Sequence, residues 1–293
     1  MKQNLPEKYK GIFYIVLSAF CFALMNLFVR LSGDIPSVQK SFFRNLVAFF
    51  FAFIILRKDH IRFSGKKENL LYLILRSTFG TLGILCNFYA VDHLLLSDAS
   101  MLNKMSPFFA ILFSILLLKE RIKPAQLLIV AAAFLGSLFI IKPTGAVLAS
   151  ANALIGLAGG MCAGIAYTYV RVLGTRGEKG PFVVCFFSAF SCLSVLPYLL
   201  FHYQPMELWQ LFTLLLAGLA AAGGQFGITA AYFHAPAREI SVYDYSQIIF
   251  SAVLGFLVFG QVPDGYSILG YVIICLMAVL MFLYNNRKPA ASR

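Results

Sequence analysis

The chain has 293 residues, of which 60% are hydrophobic and only 12% are charged, and its formal net charge is +12. Soluble proteins use about half apolar and about a quarter charged residues, so this composition excludes an ordinary water-soluble domain. The apolar residues fall in blocks of about 20, the length at which a helix crosses about 30 Å of hydrocarbon. Because lipid offers no partner for backbone polar groups, such blocks must be helical. The predicted fold class is an all-α integral membrane protein.

Ten membrane-spanning helices are predicted, joined by short loops. The first follows a short basic leader, and its length favours a retained helix over a cleaved signal peptide. The spans divide into five and five, so we expect two units, residues 1–145 and 146–293. The predicted spans are Gly11–Leu31, Ser37–Leu56, Leu70–Val91, Asp98–Leu118, Pro124–Ile141, Ala151–Leu173, Pro181–Phe201, Leu208–Phe233, Ile240–Gly260 and Tyr266–Tyr284.

Most of the 24 Lys and Arg residues lie in the leader, the tail and alternate loops. The second-to-third loop alone holds Arg57, Lys58, Arg62, Lys66 and Lys67, whereas the opposite loops hold only Lys142, with Arg30 close to the end of the first span. Positive residues stay in the cytoplasm, so both termini are predicted to be cytoplasmic. The basic charge is therefore a topology signal, and no nucleic-acid partner is needed to explain it.

The second half of the chain repeats a pattern of the first half. Aligning Glu120 with Gln261 matches Asn103 to Asp244 and Ser106 to Gln247, and a two-residue slip in the turn then matches Tyr89 to Tyr232. A repeat with an odd number of spans places its second copy upside down in the membrane. Inverted repeats are common in secondary transporters, whose substrate site lies near the midplane where the halves meet.

Several segments resemble EamA-type permeases of the drug/metabolite transporter superfamily. In the first half these are Asn87-Phe88-Tyr89-Ala90, Ser106-Pro107 and Leu118-Lys119-Glu120, and in the second half Gly223-Gly224-Gln225 and Phe259-Gly260-Gln261. Arg76 before Gly80 is similar to the solute carrier 35 G-type branch, which includes organic anion exporters. The resemblance implies a cell-membrane permease of two inverted five-helix repeats that works by alternating access. Gln261 departs from it, because many members carry glutamate there.

Charged residues inside the spans indicate where chemistry occurs, since each costs roughly 2.5–3.5 kcal/mol by insertion scales. Arg44 lies roughly 12 Å below the outer end of its span and Arg76 roughly 9 Å from the inner end of its own. Both residues, like Lys104, could line a polar cavity, or could instead snorkel or pair with carbonyls. Asp244, the acid that lies well inside a span, could neutralise a basic residue or bind a cation or proton. The excess of basic residues favours an organic anion, because guanidinium groups suit carboxylate or phosphate.

The residues predicted to bind substrate are Arg44, Arg76, Lys104, Asn87, Asn103, Tyr89, Tyr243, Asp244, Gln225 and Gln247. Gly80 and Gly83 share a helix face with Arg76, where they could admit another helix or make room for substrate. The main function is predicted to be export or exchange of a small anionic metabolite. Two alternatives stay open: a permease for amino acids, other zwitterions or drugs, in which Asp244 meets the ammonium group, and a membrane scaffold or sensor that transports nothing. A homodimer is possible.

An enzyme is not predicted. All four histidines lie at span ends or in loops, and no HExxH, GxSxG or acid pair occurs within a span. A hydrolase or transferase needs a nucleophile with a base, or clustered metal ligands. We therefore expect no catalytic residue, no metal site and no cofactor.

Overall fold

The structure, a computed structural model, describes residues 5–60, 66–93, 102–120, 122–141, 151–260 and 265–286. Regular structure within these ranges is helical throughout, with no strand. A short turn, Ala237–Ile240, and a 3₁₀ segment, Ser241–Tyr245, connect the eighth and ninth helices. The long helices are α1 (Leu5–Leu31), α2 (Ser37–Lys58), α3 (Leu70–His93), α4 (Ser106–Leu118), α5 (Pro124–Ile141), α6 (Ala151–Thr175), α7 (Gly180–Phe201), α8 (Leu208–His234), α9 (Ser246–Phe259) and α10 (Gly265–Asn286).

Seven helical stretches of the described residues are long and apolar enough to cross a membrane. They contain α1, α2, α3, α6, α7, α8 and α9, the last together with the turn and the 3₁₀ segment before it. The apolar stretches in α4, α5 and α10 are shorter than a full span. The chain is therefore a multi-pass membrane protein, as predicted, while ten crossings and the side of the termini stay predictions.

Two predicted spans are not continuous helices. The ninth is interrupted by the 3₁₀ segment, and the fourth by a turn in which the Met105 amide bonds to the Leu102 carbonyl, 3.2 Å away. The break in the fourth predicted span lies where the chain contacts α6, because a β-carbon built on Gly160 would overlap the Leu102 carbonyl. Hydrophobicity is blind to such breaks, because an interrupted and a continuous helix can have the same composition. Asp98, the predicted start of this span, lies outside the described residues.

Both interrupted helices also end in the same way. Lys119 after α4 and Gly260 after α9 have left-handed backbone, with φ of 53° and 64°. Lys119 and Gly260 are separated by the same number of residues as Asn103 and Asp244. The helix break and the left-handed cap therefore recur at the spacing that the sequence alignment gives. Gln261, the partner of Glu120 in that alignment, lies outside the described residues.

The main helix contacts of one half have counterparts when each helix is exchanged with the one five places along. α1 packs on α8 as α6 packs on α3, and α1 packs on α9 as α6 packs on α4. α2 packs on α7, and α5 on α10. The principal hydrophobic core lies where α1 and α8 meet the 3₁₀ segment, and α4, α5 and α10 also contribute to it. The break in each half is consequently held against helices of the other half.

Candidate functional site

Lys104 connects the two helix breaks. Its ammonium group donates to the Gln247 side-chain oxygen at 2.7 Å and lies 3.3 Å from an Asp244 carboxylate oxygen. The Tyr245 hydroxyl in turn donates to the Lys104 backbone carbonyl at 3.3 Å. Lys104 and Asp244 are 6% and 7% exposed, so this ion pair is buried. It joins the first half of the chain to the second and leaves Lys104 largely neutralised.

Arg76 is buried without a counter-charge. It is 2% exposed, and its guanidinium carbon lies 3.7 Å from the centre of the Phe187 ring on α7. Its Nε makes no hydrogen bond. Within the described ranges no carboxylate pairs with Arg76, so its charge is offset mainly by the aromatic face.

Arg44 is also buried among neutral groups. It is 5% exposed, its Nε donates to the sulfur of Met25 at 3.1 Å, and its Nη1 donates to the Asn45 side-chain oxygen at 3.1 Å. No ion pair to Arg44 occurs in the described part of the chain. Thioether and amide acceptors leave the positive charge uncompensated.

Tyr167 of α6 brings the two arginines and the acid into one site. Its hydroxyl interacts electrostatically with Arg44, Arg76 and Asp244, and the two arginines also influence each other. The Tyr167 ring stacks on Tyr232 of α8, with centroids 5.4 Å apart. Two arginines that lack an ion pair in the described residues and the neutralised Lys104–Asp244 pair therefore lie within electrostatic range of one phenol.

The other predicted site residues are more dispersed. Gln225 and Tyr243 are buried, and the Gln225 Nε2 and Tyr243 hydroxyl have no hydrogen-bond partner among the described residues. Asn87 and Asn103 are half-buried, close to α6. Tyr89 is 36% exposed, bonds to Asn152 at 3.3 Å and stacks on the neighbouring His93. The structure thus does not bring Tyr89 to the Lys104 pair.

A second charged network lies at one end of the bundle, which we call the basic end, marked by Lys66, Glu120, Arg171 and Arg238. The Glu120 carboxylate lies 3.6 Å from Arg171 Nε and 3.8 Å from Arg238 Nη1, and accepts from Ser114 Oγ at 2.6 Å. Arg171 also donates to the backbone carbonyls of Tyr232 and Phe233 at the end of α8. Glu120 of the first half is thereby tied to three elements of the second.

The loops at the basic end are joined as well. The Glu178 carboxylate accepts from the Lys66 amide at 2.9 Å and from the Asn69 side chain at 2.8 Å. Lys66 Nζ donates to the Arg176 carbonyl at 3.1 Å. These bonds close the α2–α3 connection against the α6–α7 connection. From the sequence, Lys66 served only as a topology signal, and its contacts with the second half were not predicted.

A family model described as the EamA-like transporter family matches residues 9–142 and again residues 151–283. The chain belongs to that family. The two matches together cover most of the chain, and the family and the relatives below are transporters. The protein is therefore a membrane transporter of small molecules and not an enzyme. In the described residues no three His, Cys, Asp or Glu side chains group as metal ligands.

The relatives have different names, and two of the three below state what is transported. The chain is 33% identical over 273 residues to the pseudopaline exporter CntI of Pseudomonas aeruginosa strain UCBPP-PA14, covering 92% of this chain and 95% of the relative. It is 26% identical over 294 residues to human solute carrier family 35 member G1, covering 94% and 79%. It is 26% identical over 261 residues to a riboflavin transporter of Brucella anthropi, covering 85% and 90%.

The crystal structure of another protein has the same fold. It matches with a TM-score of 0.81 and 15% identity, covering 96% of this chain and 99% of that chain. This likeness supports the helix arrangement and carries no information on substrate.

Proposed function

We propose that the protein is a secondary transporter that exports or exchanges a small organic anion, with a carboxylate as its main recognition group. The observation that carries the proposal is the pair of buried arginines, Arg44 and Arg76, which lie within electrostatic range of Tyr167 and have no acidic partner among the residues that the structure describes. Burying an unpaired guanidinium costs several kcal/mol, and an anionic ligand offsets that cost in the bound state. Lys104 contributes less, because Asp244 already neutralises it.

Transport would proceed by alternating access between the two halves. The breaks before α4 and α9 lie at the Lys104–Asp244 contact between the halves, where rocking would change the site most. The positive-inside rule favours a cytosolic position for the basic end, and with it ten crossings, cytosolic termini and residence in the cytoplasmic membrane. In this conformation the Glu120 network closes that end.

A second candidate substrate is a zwitterion such as an amino acid. It is favoured by Tyr167, whose hydroxyl lies within electrostatic range of both arginines and of Asp244. A carboxylate at Arg44 and Arg76 and an ammonium group at Asp244 would then bind within range of the same phenol. Binding of the ammonium group would compete with Lys104 for the Asp244 carboxylate.

Transport by purified protein in liposomes tests the proposal, with citrate, succinate, glutamate and lysine as probes. We expect flux of the acids, and a rise of at least about tenfold in KM for Arg44→Gln and for Arg76→Gln, equivalent to about 1.4 kcal/mol of lost binding. Asp244→Asn separates the two substrates, because it should impair glutamate far more than succinate only if the ammonium group binds there. Flux that is unchanged in both arginine variants would refute the anion site, and no flux of any solute would favour a scaffold or sensor.

A further inference from the structure

The Arg76 side chain runs in the opposite direction from the one expected of an arginine near a membrane surface. α3 starts at Leu70 at the basic end, and Arg76 lies six residues along, roughly 9 Å from that end. Long side chains on a helix point back toward its N-terminus, and arginines snorkel to the nearer surface. Both tendencies would take this guanidinium to the basic end. Instead, one of its terminal nitrogens lies beside Gly80, one turn further into the membrane.

Gly80 leaves the space that this direction requires. A β-carbon built on Gly80 would overlap Arg76 Nη1 and would lie 2.8 Å from Cε2 of the Phe187 ring. The same ring lies 3.7 Å from the guanidinium carbon, so Gly80 and Phe187 form two walls of one slot. The sequence offered helix approach or room for substrate. At Gly80 the Phe187 ring of α7 does approach, and the Arg76 side chain, four residues earlier, occupies the space beside it.

We infer that Gly80 and Phe187 are positioning residues that hold the Arg76 guanidinium toward the middle of the membrane, where it meets the substrate anion. The slot fixes the planar group between a bare helix backbone and an aromatic face, and leaves its charge without a carboxylate partner in the described part of the chain. A guanidinium fixed in this way loses little freedom when it binds an anion. The inference rests on the proposed function for the role of Arg76 and concerns how that residue is aimed.

The second half of the chain provides a matched control. With Tyr89 matched to Tyr232, Gly80 corresponds to Gly223 of α8, and Leu219 occupies the place of Arg76. A β-carbon on Gly223 would meet only Cys21, with Sγ at 3.0 Å. Gly223→Ala therefore makes the same chemical change on an equivalent helix without an arginine to displace.

The first experiment measures the position of Arg76 without reference to substrate. Phenylglyoxal modification of Arg76, followed by mass spectrometry of protein in liposomes, should be several-fold faster in Gly80→Ala, because the displaced guanidinium turns back toward water. Phe187→Leu, which keeps apolar volume and removes the ring, should act in the same direction. Gly223→Ala should match the wild type. Equal modification rates in all four proteins would overturn the inference.

The second experiment measures KM for the best-transported acid in the wild-type and Arg76→Gln backgrounds. We expect Gly80→Ala and Phe187→Leu to raise KM about tenfold in the wild-type background and less than about twofold in the Arg76→Gln background. A similar rise in both backgrounds would mean that Gly80 serves helix packing, and would overturn the positioning role alone. An unchanged KM in Arg76→Gln itself would refute the proposed function as well, so the two failures are distinguishable.

Discussion

The two ends of the bundle are built from equivalent helices but are held together by different kinds of contact. At the basic end Glu120 lies within 4 Å of two arginines, and Arg171 also caps α8. At the opposite end Arg30, which lies near the end of α1 as Arg171 lies near the end of α6, contacts the Phe259 ring at 4.8 Å. There the α2 start is joined to the α7–α8 connection by Gln39, whose amide bonds to the backbone of Gln204 at 2.9 and 3.0 Å.

The two halves of the chain therefore repeat the helix arrangement but not the charged contacts at the helix ends. Ion pairs that are partly shielded from water are expensive to break, whereas neutral bonds at an exposed chain are readily exchanged for water. The energy needed to open the bundle should accordingly be larger at the basic end. Three substitutions test that expectation, beginning with the largest effect.

Arg171→Ala should cause the largest loss of stability at either end. It removes the ion pair to Glu120 and two hydrogen bonds to α8 carbonyls, which together are worth about 2–4 kcal/mol. Thermal unfolding in detergent measures the loss. Arg30→Ala, near the end of the corresponding helix α1, is the control, expected to cost less than about 1 kcal/mol because it removes only a partly exposed cation–π contact. Equal losses would contradict a difference between the ends.

Glu120→Gln should open the basic end with a smaller effect. The amide keeps the shape of the carboxylate and can still accept from Ser114, but it no longer attracts Arg171 and Arg238. We expect a bulky thiol reagent applied at the basic end to label a single cysteine at Ser241 about three- to tenfold faster, because removing the ion pairs favours the open state by about 0.7–1.4 kcal/mol. The reporter is built in a protein whose native cysteines are replaced. Slower labelling would contradict the proposal that the basic end is the closed end.

Gln39→Ala should have the smallest effect of the three. Gln39 is fully buried, but its partner Gln204 is exposed, so water can satisfy the backbone groups that the amide leaves. The expected loss is about 0.5–1 kcal/mol in the same unfolding assay. A loss as large as that of Arg171→Ala would show that the neutral end is held as firmly as the charged one.

The general architecture followed from sequence because its cause is local. Hydrophobic length alone placed α2, α5 and α8 at their observed first residues, since lipid enforces helix over each apolar block. The alignment that matched Asn103 to Asp244 also recovered the equivalent breaks and left-handed caps. The structure pairs Asp244 with Lys104, one of the outcomes expected for a lone acid beside a basic residue.

The details of the site could not be read from local sequence, because they depend on residues that are distant in the chain. The direction of Arg76 is set by Phe187 on another helix, and only the folded arrangement brings that ring to Gly80. The helix break before α4 depends on contact with Gly160 of α6. Tyr89 carries the same kind of side chain as Tyr232, yet it bonds at the exposed end of α3, and composition does not distinguish the two.

The left-handed caps carry a final consequence. Gly260 adopts this conformation freely, but Lys119 adopts it at a strain of about 1–2 kcal/mol, which a glycine would relieve. A glycine would also remove a positive charge next to the loops that fix the insertion of a membrane protein. At Lys119 a glycine would favour folding, whereas the positive charge of lysine favours the correct orientation in the membrane. The sequence has lysine at this position.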